Sequence, residues 1–302
     1  MNGSVKGGAF AEYHPLVNFL YFALVIAFSM FFLHPLALGI SLGGAFIYSC
    51  KLLGRRALRF NLLYLLPLLL VMAIMNPLFN HQGLTVLGYF KNGNPLTLES
   101  ILYGLAAATM LVTVICWFSC YNAVVSSEKF LYLFGRVLPA FSLLLSMALR
   151  FLPRLSRQLA EVRNAQKGLG LYEEKGSMLK RARSALRSFS ILLTWALEDG
   201  VETADSMRSR GYGLYGRTSF SVFRLSRRDK WALGGLMAAG CFIILGAFKG
   251  WFYYRYFPSL KGAGPGFPVA LLGAAYAALC LLPLIIEFME ARKWKAPQRP
   301  LQ

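Results

Sequence analysis

Six apolar runs constrain this chain more than any other feature of its sequence. They cover about 16–33, 35–50, 61–77, 101–122, 231–248 and 268–289. A helix needs roughly 20 apolar residues to cross the hydrocarbon core of a bilayer, and soluble domains rarely carry several runs near that length. Hydrophobic residues make up 57% of the chain and charged residues 15%. We therefore predict an all-α, polytopic integral membrane protein with about six transmembrane helices.

The basic residues between these runs predict the orientation. Four follow the second run and four follow the sixth, namely Lys51, Arg55, Arg56 and Arg59, and Arg292, Lys293, Lys295 and Arg299. Loops at the other end are poorer in Lys and Arg, and the loop after the fifth run fits least well. Because cytoplasmic loops carry an excess of Lys and Arg, we expect a multi-pass protein of the cell membrane with both termini in the cytoplasm.

Residues 125–230 hold 19 of the 32 Lys and Arg and 9 of the 13 Asp and Glu. No nucleic-acid-binding motif accompanies this basic block, so we assign it to the cytoplasmic side and expect no nucleic-acid partner. Apolar residues at three- and four-residue steps predict helices over about 128–152, 154–167 and 178–210. Pro153 is expected to start the second of these, and Gly168 and Gly211 to end the second and third in the left-handed conformation.

Two common motifs for phosphate and metal chemistry are missing from the sequence. It contains no GxxxxGK[ST] loop for phosphates and no HExxH. Cys116 and Cys120 lie one helical turn apart without a nearby acidic residue or histidine, so we interpret the cysteines as small apolar residues. Glu287, near the end of the sixth run, is interpreted as an interfacial residue. We predict no catalytic residue, no metal ligand and no cofactor.

Five short strings, in this order, resemble EcfT, the transmembrane coupling subunit of energy-coupling-factor (ECF) transporters in the CbiQ-like superfamily. They are Asn76-Pro77-Leu78-Phe79-Asn80, Gly93-Asn94-Pro95-Leu96-Thr97-Leu98-Glu99-Ser100, Ala148-Leu149-Arg150-Phe151-Leu152-Pro153, Ala165-Gln166 and Ser206-Met207-Arg208-Ser209-Arg210-Gly211-Tyr212. The resemblance spans about residues 15–290. It implies helices one to four over 1–122, a coupling region over 123–229 and the last helices with a basic tail over 230–302.

The resemblance also implies two long cytoplasmic coupling helices, here about 154–168 and 178–211. In the family each ends in an Ala-Arg-Gly-like triplet that docks into a groove on one of two ATPase subunits. The second triplet matches as Ser209-Arg210-Gly211. The first aligns as Gly168-Leu169-Gly170, with Leu169 where the family has arginine and Lys167 two residues earlier. We therefore expect the two ATPase contacts to be energetically unequal.

On this resemblance the chain is a non-catalytic transport subunit in the lipid bilayer. Its expected partners are two ABC-type ATPase subunits and an exchangeable substrate-binding membrane (S) subunit for vitamins or other micronutrients. One alternative is a dedicated cobalt or nickel importer subunit of the same superfamily. The other is a polytopic membrane enzyme, for which the candidate polar residues are Glu198, Asp199, Glu202 and Asp205. The transported substrate does not follow from the sequence.

Overall fold

The computed structural model describes residues 8–89, 94–135, 139–171, 177–215, 223–262, 264 and 266–295. The described chain is dominated by helices. They are α1 (Pro15–Phe31), α2 (Pro35–Leu53), α3 (Arg55–Phe60), a π-helical turn (Asn61–Leu65), α4 (Leu66–Phe79), α5 (Leu98–Val124), α6 (Ser127–Gly135), α7 (Pro139–Gly168), α8 (Met178–Ser209), α9 (Arg227–Phe248) and α10 (Phe267–Lys295). Two short antiparallel hairpins pair β1 (Val86–Tyr89) with β2 (Pro95–Thr97), and β3 (Tyr254–Arg255) with β4 (Lys261–Gly262).

Five helices are long and apolar enough to cross a membrane. They are Pro35–Leu53, Arg55–Phe79, Leu98–Val124, Arg227–Phe248 and Phe267–Glu290. The first predicted span, about 16–33, corresponds to α1, which is apolar but has only 17 residues. These helices confirm an all-α, polytopic membrane fold. The chain separates into two compact units, and unit 1 (residues 1–129 and 223–302) contains all of the apolar helices just named.

The core of unit 1 is built from aromatic side chains held by a few buried hydrogen bonds. Trp117 of α5 is fully buried, and its ring meets Tyr21 of α1 edge-on at 6.1 Å. Its indole N–H donates to Ser41 Oγ at 3.0 Å. Ser29 Oγ lies 2.6 Å from Ser41 Oγ and 3.2 Å from the Tyr276 hydroxyl, so one polar cluster joins four helices. These bonds satisfy groups that the bilayer cannot hydrate.

The end of unit 1 that carries the first hairpin is ordered by the residues of two resemblance strings. Asn76 Nδ2 donates to the Ser100 carbonyl at 2.7 Å, joining α4 to α5. The Glu99 carboxylate is 2% exposed and accepts from the Thr85 backbone N–H at 3.2 Å and the Thr85 hydroxyl at 2.8 Å. Thr97 caps α5 and donates to the Gln82 carbonyl at 2.8 Å. These residues fix the loop between α4 and α5.

At the opposite end of unit 1, polar contacts close the bundle. Ser226 and Asp229 form a reciprocal capping box at the start of α9, and Asp229 also accepts from the His14 backbone N–H at 3.2 Å. Glu287 Oε2 pairs with Lys51 Nζ at 2.9 Å. This ion pair joins α10 to α2. Glu287 is only 8% exposed, so it is more buried than the interfacial position that we predicted for it.

Lys129, at the end of the segment 1–129 of unit 1, is another charged side chain that is mostly buried. Its ammonium group donates to the Ala11 carbonyl and, at 3.1 Å, to the Val124 carbonyl. With the Asn18 amide oriented to satisfy both of its ends, Asn18 Oδ1 accepts from Lys129 Nζ at 3.1 Å. Burial lowers the pKa of Lys129, because a desolvated ammonium ion is disfavoured.

Unit 2 (residues 130–222) corrects one prediction about the helices of the basic block. Pro153 does not start a helix, because α7 runs without interruption from Pro139 to Gly168. A proline inside a helix removes one backbone hydrogen bond. The residues on both sides of Pro153 are nevertheless helical, so α7 continues through this position. The predicted first and second stretches are therefore mostly one long helix, preceded by the short α6.

Candidate functional site

The two long helices of unit 2 form an antiparallel pair. Arg154 of α7 reaches Asp199 of α8 with N–O distances of 2.8 and 3.0 Å, and its guanidinium lies 5.2 Å from the centre of the Trp195 ring. Further along α7, Gln166 Oε1 accepts from the Ser188 hydroxyl at 2.8 Å. Since the partner's number falls as the number on α7 rises, the helices run in opposite directions.

At the end of α7 the backbone forms a Schellman cap. Gly170 has φ of +70°, its N–H donates to the Lys167 carbonyl at 3.0 Å, and the Leu171 N–H donates to the Gln166 carbonyl at 2.9 Å. The left-handed glycine is therefore Gly170, and the prediction that Gly168 takes this role is wrong. Gly168 is the last helical residue, because the helix continues until the Schellman bonds are made.

The end of α8 repeats this cap. Gly211 has φ of +79°, its N–H donates to the Arg208 carbonyl at 3.0 Å, and the Tyr212 N–H donates to the Met207 carbonyl at 3.0 Å. Gly211 thus takes the left-handed position, as predicted. Because the same two hydrogen bonds close both helices, capping position aligns the triplet 168–170 with the triplet 209–211.

Equivalent positions at the two tips carry different chemistry. Leu169 and Arg210 both stand immediately before the left-handed glycine, and both side chains are exposed. Leu169 is 73% exposed, so its apolar side chain is not covered by the rest of the described chain. Lys167 and Arg208 also occupy equivalent positions, two residues before Leu169 and Arg210. The Ser209 hydroxyl donates to the Asp205 and Ser206 carbonyls, so it is engaged within its own helix.

The antiparallel arrangement separates the tips. From the Arg154–Asp199 contact, 14 residues lead to Gly168 and 10 residues lead in the opposite direction to Ser209. At about 1.5 Å per residue, the tips lie roughly 35 Å apart along the pair. The helix pair therefore holds its two exposed tips well apart.

The sequence pattern predicts an apolar stripe along α8, made of Leu186, Phe189, Leu193, Ala196, Gly200, Ala204 and Met207. The structure divides this stripe, because Ala196 and Met207 are half-buried whereas its three large residues at the start are exposed. The buried residues of α8 are Ser184, Ser188 and Leu192. The exposed large side chains are Leu186 (68% exposed), Phe189 (58%) and Leu193 (49%), followed on the same face by Leu197 (65%) and Val201 (64%), which the predicted stripe did not include. Sequence reasoning missed the buried face, although Ser184, Ser188 and Leu192 recur at four-residue spacing. The apolar face of α8 (Leu186, Phe189, Leu193, Leu197 and Val201) thus remains uncovered within the described chain.

The other candidate residues form no group placed to hold a metal ion in the part of the chain that the structure describes. Of the four acidic residues on α8, Asp199 is occupied by Arg154. Within the residues that the structure describes, no group of three or more His, Cys, Asp or Glu side chains is placed to hold a metal ion. All five cysteines are free thiols, and Cys116 and Cys120 are buried among apolar helices.

Comparison with known proteins identifies a family whose model matches most of this chain. The family model CbiQ, described as cobalt transport protein, matches residues 12–222, a range that includes both helix tips. The energy-coupling factor transporter transmembrane protein EcfT of Streptococcus thermophilus is 26% identical over 231 residues, which are 72% of this chain and 81% of that protein. EcfT of Lactobacillus helveticus is 33% identical over 105 residues, which are 34% of this chain.

The more similar relatives are matched over less of their length. The chain spans 36% of EcfT from Lactobacillus helveticus and 41% of EcfT from Leuconostoc gelidum, to which it is 31% identical over 113 residues.

Proposed function

Because this chain belongs to the CbiQ family, which includes the EcfT transmembrane proteins of energy-coupling factor transporters, we propose that it is the transmembrane coupling subunit of an ECF-type importer. In this proposal it transmits ATP-driven motion of two ATPase subunits to an exchangeable S subunit that binds a vitamin or another micronutrient. The observation that carries the proposal is the pair of identically capped, outward-facing tips on one antiparallel helix pair.

The tips suit docking to two soluble subunits. A Schellman cap fixes the direction of the last helical turn, so the side chain before the glycine is presented in a defined position. At the α8 tip this side chain is the guanidinium of Arg210, which can make several hydrogen bonds at once in an acidic groove. The partner of this tip should therefore offer carboxylates.

The α7 tip should bind differently. Leu169 presents an apolar group where Arg210 presents a charge, and Lys167 is the nearby cation. A contact of this kind gains from burial of the leucine, at about 25 cal/mol per Å² of apolar surface, and not from a guanidinium fork. The two ATPase subunits are then held by unequal contacts, and the α8 tip depends more strongly on charge.

The apolar face of α8 supports a third contact. Its five large side chains are exposed in the chain by itself, and an apolar patch of this kind on a helix marks a protein or membrane contact. We assign it to the S subunit, whose position would then change when the helix pair moves. The basic ends of α2 and α10 support a cytoplasmic position for both termini, on the side of the ATPases.

The test is charge reversal at the α8 tip. The tagged full chain is purified with its ATPase partners, in parallel with Arg210→Glu and the control Arg224→Glu, which reverses an exposed charge outside both helices. We expect Arg210→Glu to lose one ATPase subunit and to abolish uptake, with unchanged membrane insertion, whereas Arg224→Glu retains both. A wild-type chain that purifies without ATP-binding subunits, or normal uptake by Arg210→Glu, would refute the proposal.

A dedicated cobalt or nickel importer subunit is the second candidate, favoured by the description of the family model. The docking tips would serve both functions, because in both the ATPases drive the membrane partner. The two differ in that partner, so identification of the co-purified membrane subunits separates them. One fixed metal-binding partner indicates the second candidate, whereas several exchangeable partners indicate the first.

A further inference from the structure

A groove of about 440 Å³ lies on unit 1 between helices that are apolar enough to cross a membrane. One wall is α2 and the other is the π-helical turn with the start of α4, while Val112 and Cys116 of α5 form the floor. Gly39 and Gly43 keep the α2 wall open, because no atom lies within 4 Å of the position that a Cβ would take at either residue. Leucines and Phe46 line most of the rest, so the groove is almost entirely apolar.

One polar side chain interrupts this lining. Asn61, the first residue of the π-helical turn, lines the groove and is 4% exposed. Among the residues that the structure describes, neither its Nδ2 nor its Oδ1 has a hydrogen-bond partner. A buried amide without a partner costs about 1–3 kcal/mol, and no water is available to pair with it in hydrocarbon. A molecule bound in the groove with a polar group beside Asn61 would therefore supply the missing hydrogen bond.

Positive charge lies just beyond the polar end. Arg55, Arg56 and Arg59 of α3 are all exposed, and they precede Asn61 by two to six residues, about 3–9 Å along a helix. Moving from the basic residues into the groove, the chain thus presents cations, then one amide, then an apolar channel. A membrane phospholipid has the same order: phosphate, glycerol ester and acyl chain.

The length of the groove suits one acyl chain. Gly39 to Ile47 spans about 12 Å of α2, so an extended segment of such a chain can lie along it. A single acyl chain is narrow enough to lie inside. Because the surrounding lipid is as apolar as the groove, burial of the acyl chain gives little preference for the groove over the bilayer. Preferential binding in the groove must come from Asn61 and the three arginines.

We propose that this groove binds one anionic phospholipid of the bilayer, with an acyl chain along Gly39 and Gly43, its ester region at the Asn61 amide and its phosphate at Arg55, Arg56 and Arg59. Each basic residue near the surface contributes about 1 kcal/mol toward an anionic headgroup. The site does not depend on the proposed transport function, since it uses only the membrane-spanning fold.

The experiment measures lipid retention by the full chain in detergent, using native mass spectrometry. Delipidated protein receives phosphatidylglycerol or phosphatidylcholine with the same acyl chains. We expect one tightly retained phosphatidylglycerol and at least about tenfold weaker retention of phosphatidylcholine. Equal retention of the two lipids would overturn the proposal.

Three variants separate the parts of the site. Gly43→Leu fills the groove and should abolish retention of both lipids, whereas the control Gly234→Leu adds the same bulk at an open, exposed position of α9 and should not. Asn61→Leu should weaken both lipids. Replacing Arg55, Arg56 and Arg59 by Gln should remove the headgroup preference, but the matched control at Arg224, Arg227 and Lys230 should keep it.

Misfolding of a variant is checked before its lipid retention is interpreted. Gly43→Leu is compared only if its elution profile matches that of Gly234→Leu. If Gly43→Leu misfolds, the loss of retention is tested with Asn61→Leu instead. Retention of phosphatidylglycerol by folded Gly43→Leu at the wild-type level would show that the lipid lies elsewhere. A groove filled by a second copy or by another membrane protein would instead show release of that protein by Gly43→Leu with unchanged lipid, and this would also overturn the proposal.

Discussion

Units 1 and 2 use apolar side chains in opposite ways. Unit 1 buries Trp117, Tyr21 and Tyr276 in a continuous aromatic core. In the described part of unit 2, Leu192 is the one buried hydrophobic side chain. Polar groups make much of the remaining helix contact, through Ser188 with Gln166 and through Arg154 with Asp199. The large apolar residues of α8 point outward. Unit 1 thus has an aromatic core of its own, whereas the large apolar side chains of α8 in unit 2 are exposed and, in our proposal, contact another subunit.

The difference shows which contacts stabilise the fold and which are available for function. In unit 1 a substitution removes packing inside one chain, so it should change the free energy of unfolding. In unit 2 the same kind of substitution on the exposed face should change association instead. The predictions below test this division, from the largest expected effect to the smallest.

Trp117→Ala should produce the largest loss of stability. The ring is fully buried and its N–H donates to Ser41, so its removal leaves a cavity and takes one hydrogen bond from the Ser41 hydroxyl, at a cost of about 3–5 kcal/mol. Thermal unfolding of the purified full chain in detergent measures this. The control is Trp231→Ala, whose side chain is 83% exposed and which should shift stability by less than about 0.5 kcal/mol. Equal effects of the two changes would contradict a core centred on Trp117.

Leu192→Ala and Leu197→Ala separate the two faces of α8. Leu192 is 8% exposed and Leu197 is 65% exposed. We expect Leu192→Ala to destabilise the helix pair by about 2 kcal/mol and Leu197→Ala to leave it unchanged. Hydrogen exchange of the backbone amides of α7 and α8 measures this difference in stability.

The same two variants test the proposed contact with the S subunit. Leu197→Ala should weaken co-purification of the membrane partner although the helix pair is intact. Retention of that partner at the wild-type level would remove the apolar face of α8 from the proposed interface.

Leu169→Arg tests the inequality of the tips. The variant gives the α7 tip the residue that stands at the equivalent position of the α8 tip, and a new charge-assisted hydrogen bond is worth about 1.5–3 kcal/mol. We expect ATPase association to be unchanged or stronger, measured as resistance of the complex to salt. The uncharged control Leu169→Gln should not strengthen it. Loss of the complex in Leu169→Arg would show that the leucine packs in its own pocket.

Lys129 should give a small pH-dependent effect. Burial lowers its pKa below the ordinary value of 10.5, so on raising the pH the folded chain loses this proton before the unfolded chain does. Between the folded and unfolded pKa values the unfolded state binds more protons, and stability should rise with pH in that window. At lower pH, where both states hold the proton, this contribution is constant.

Comparison with Lys129→Met isolates this slope, because the buried tyrosines titrate alike in both proteins. The variant should be less stable at neutral pH, since the Ala11 and Val124 carbonyls lose their donor, but it should lack the rise. A rise of the same size in the variant would assign it to another group.

Much of the fold was predictable because the bilayer imposes a simple rule on sequence. The apolar runs predicted the all-α membrane fold, and the glycine at 211 predicted the end of α8. Pro153 misled the prediction of α7, because a proline in a first turn and a proline inside a long helix look alike in the residues that follow. At the α7 tip two glycines lie two residues apart, and only the backbone hydrogen bonds show that Gly170, not Gly168, is left-handed.

The sequence by itself determined where helices cross the membrane and where positive charge gathers, since both depend on composition along one segment. The tertiary structure decided which side of each helix is covered. It buried Ser184 and Ser188 while exposing the leucines of α8, buried Asn61 without a partner, and aligned Leu169 with Arg210. These outcomes depend on contacts between residues distant in the chain and on cap geometry. The periodicity of a single helix identifies an apolar face but not the surface that it meets.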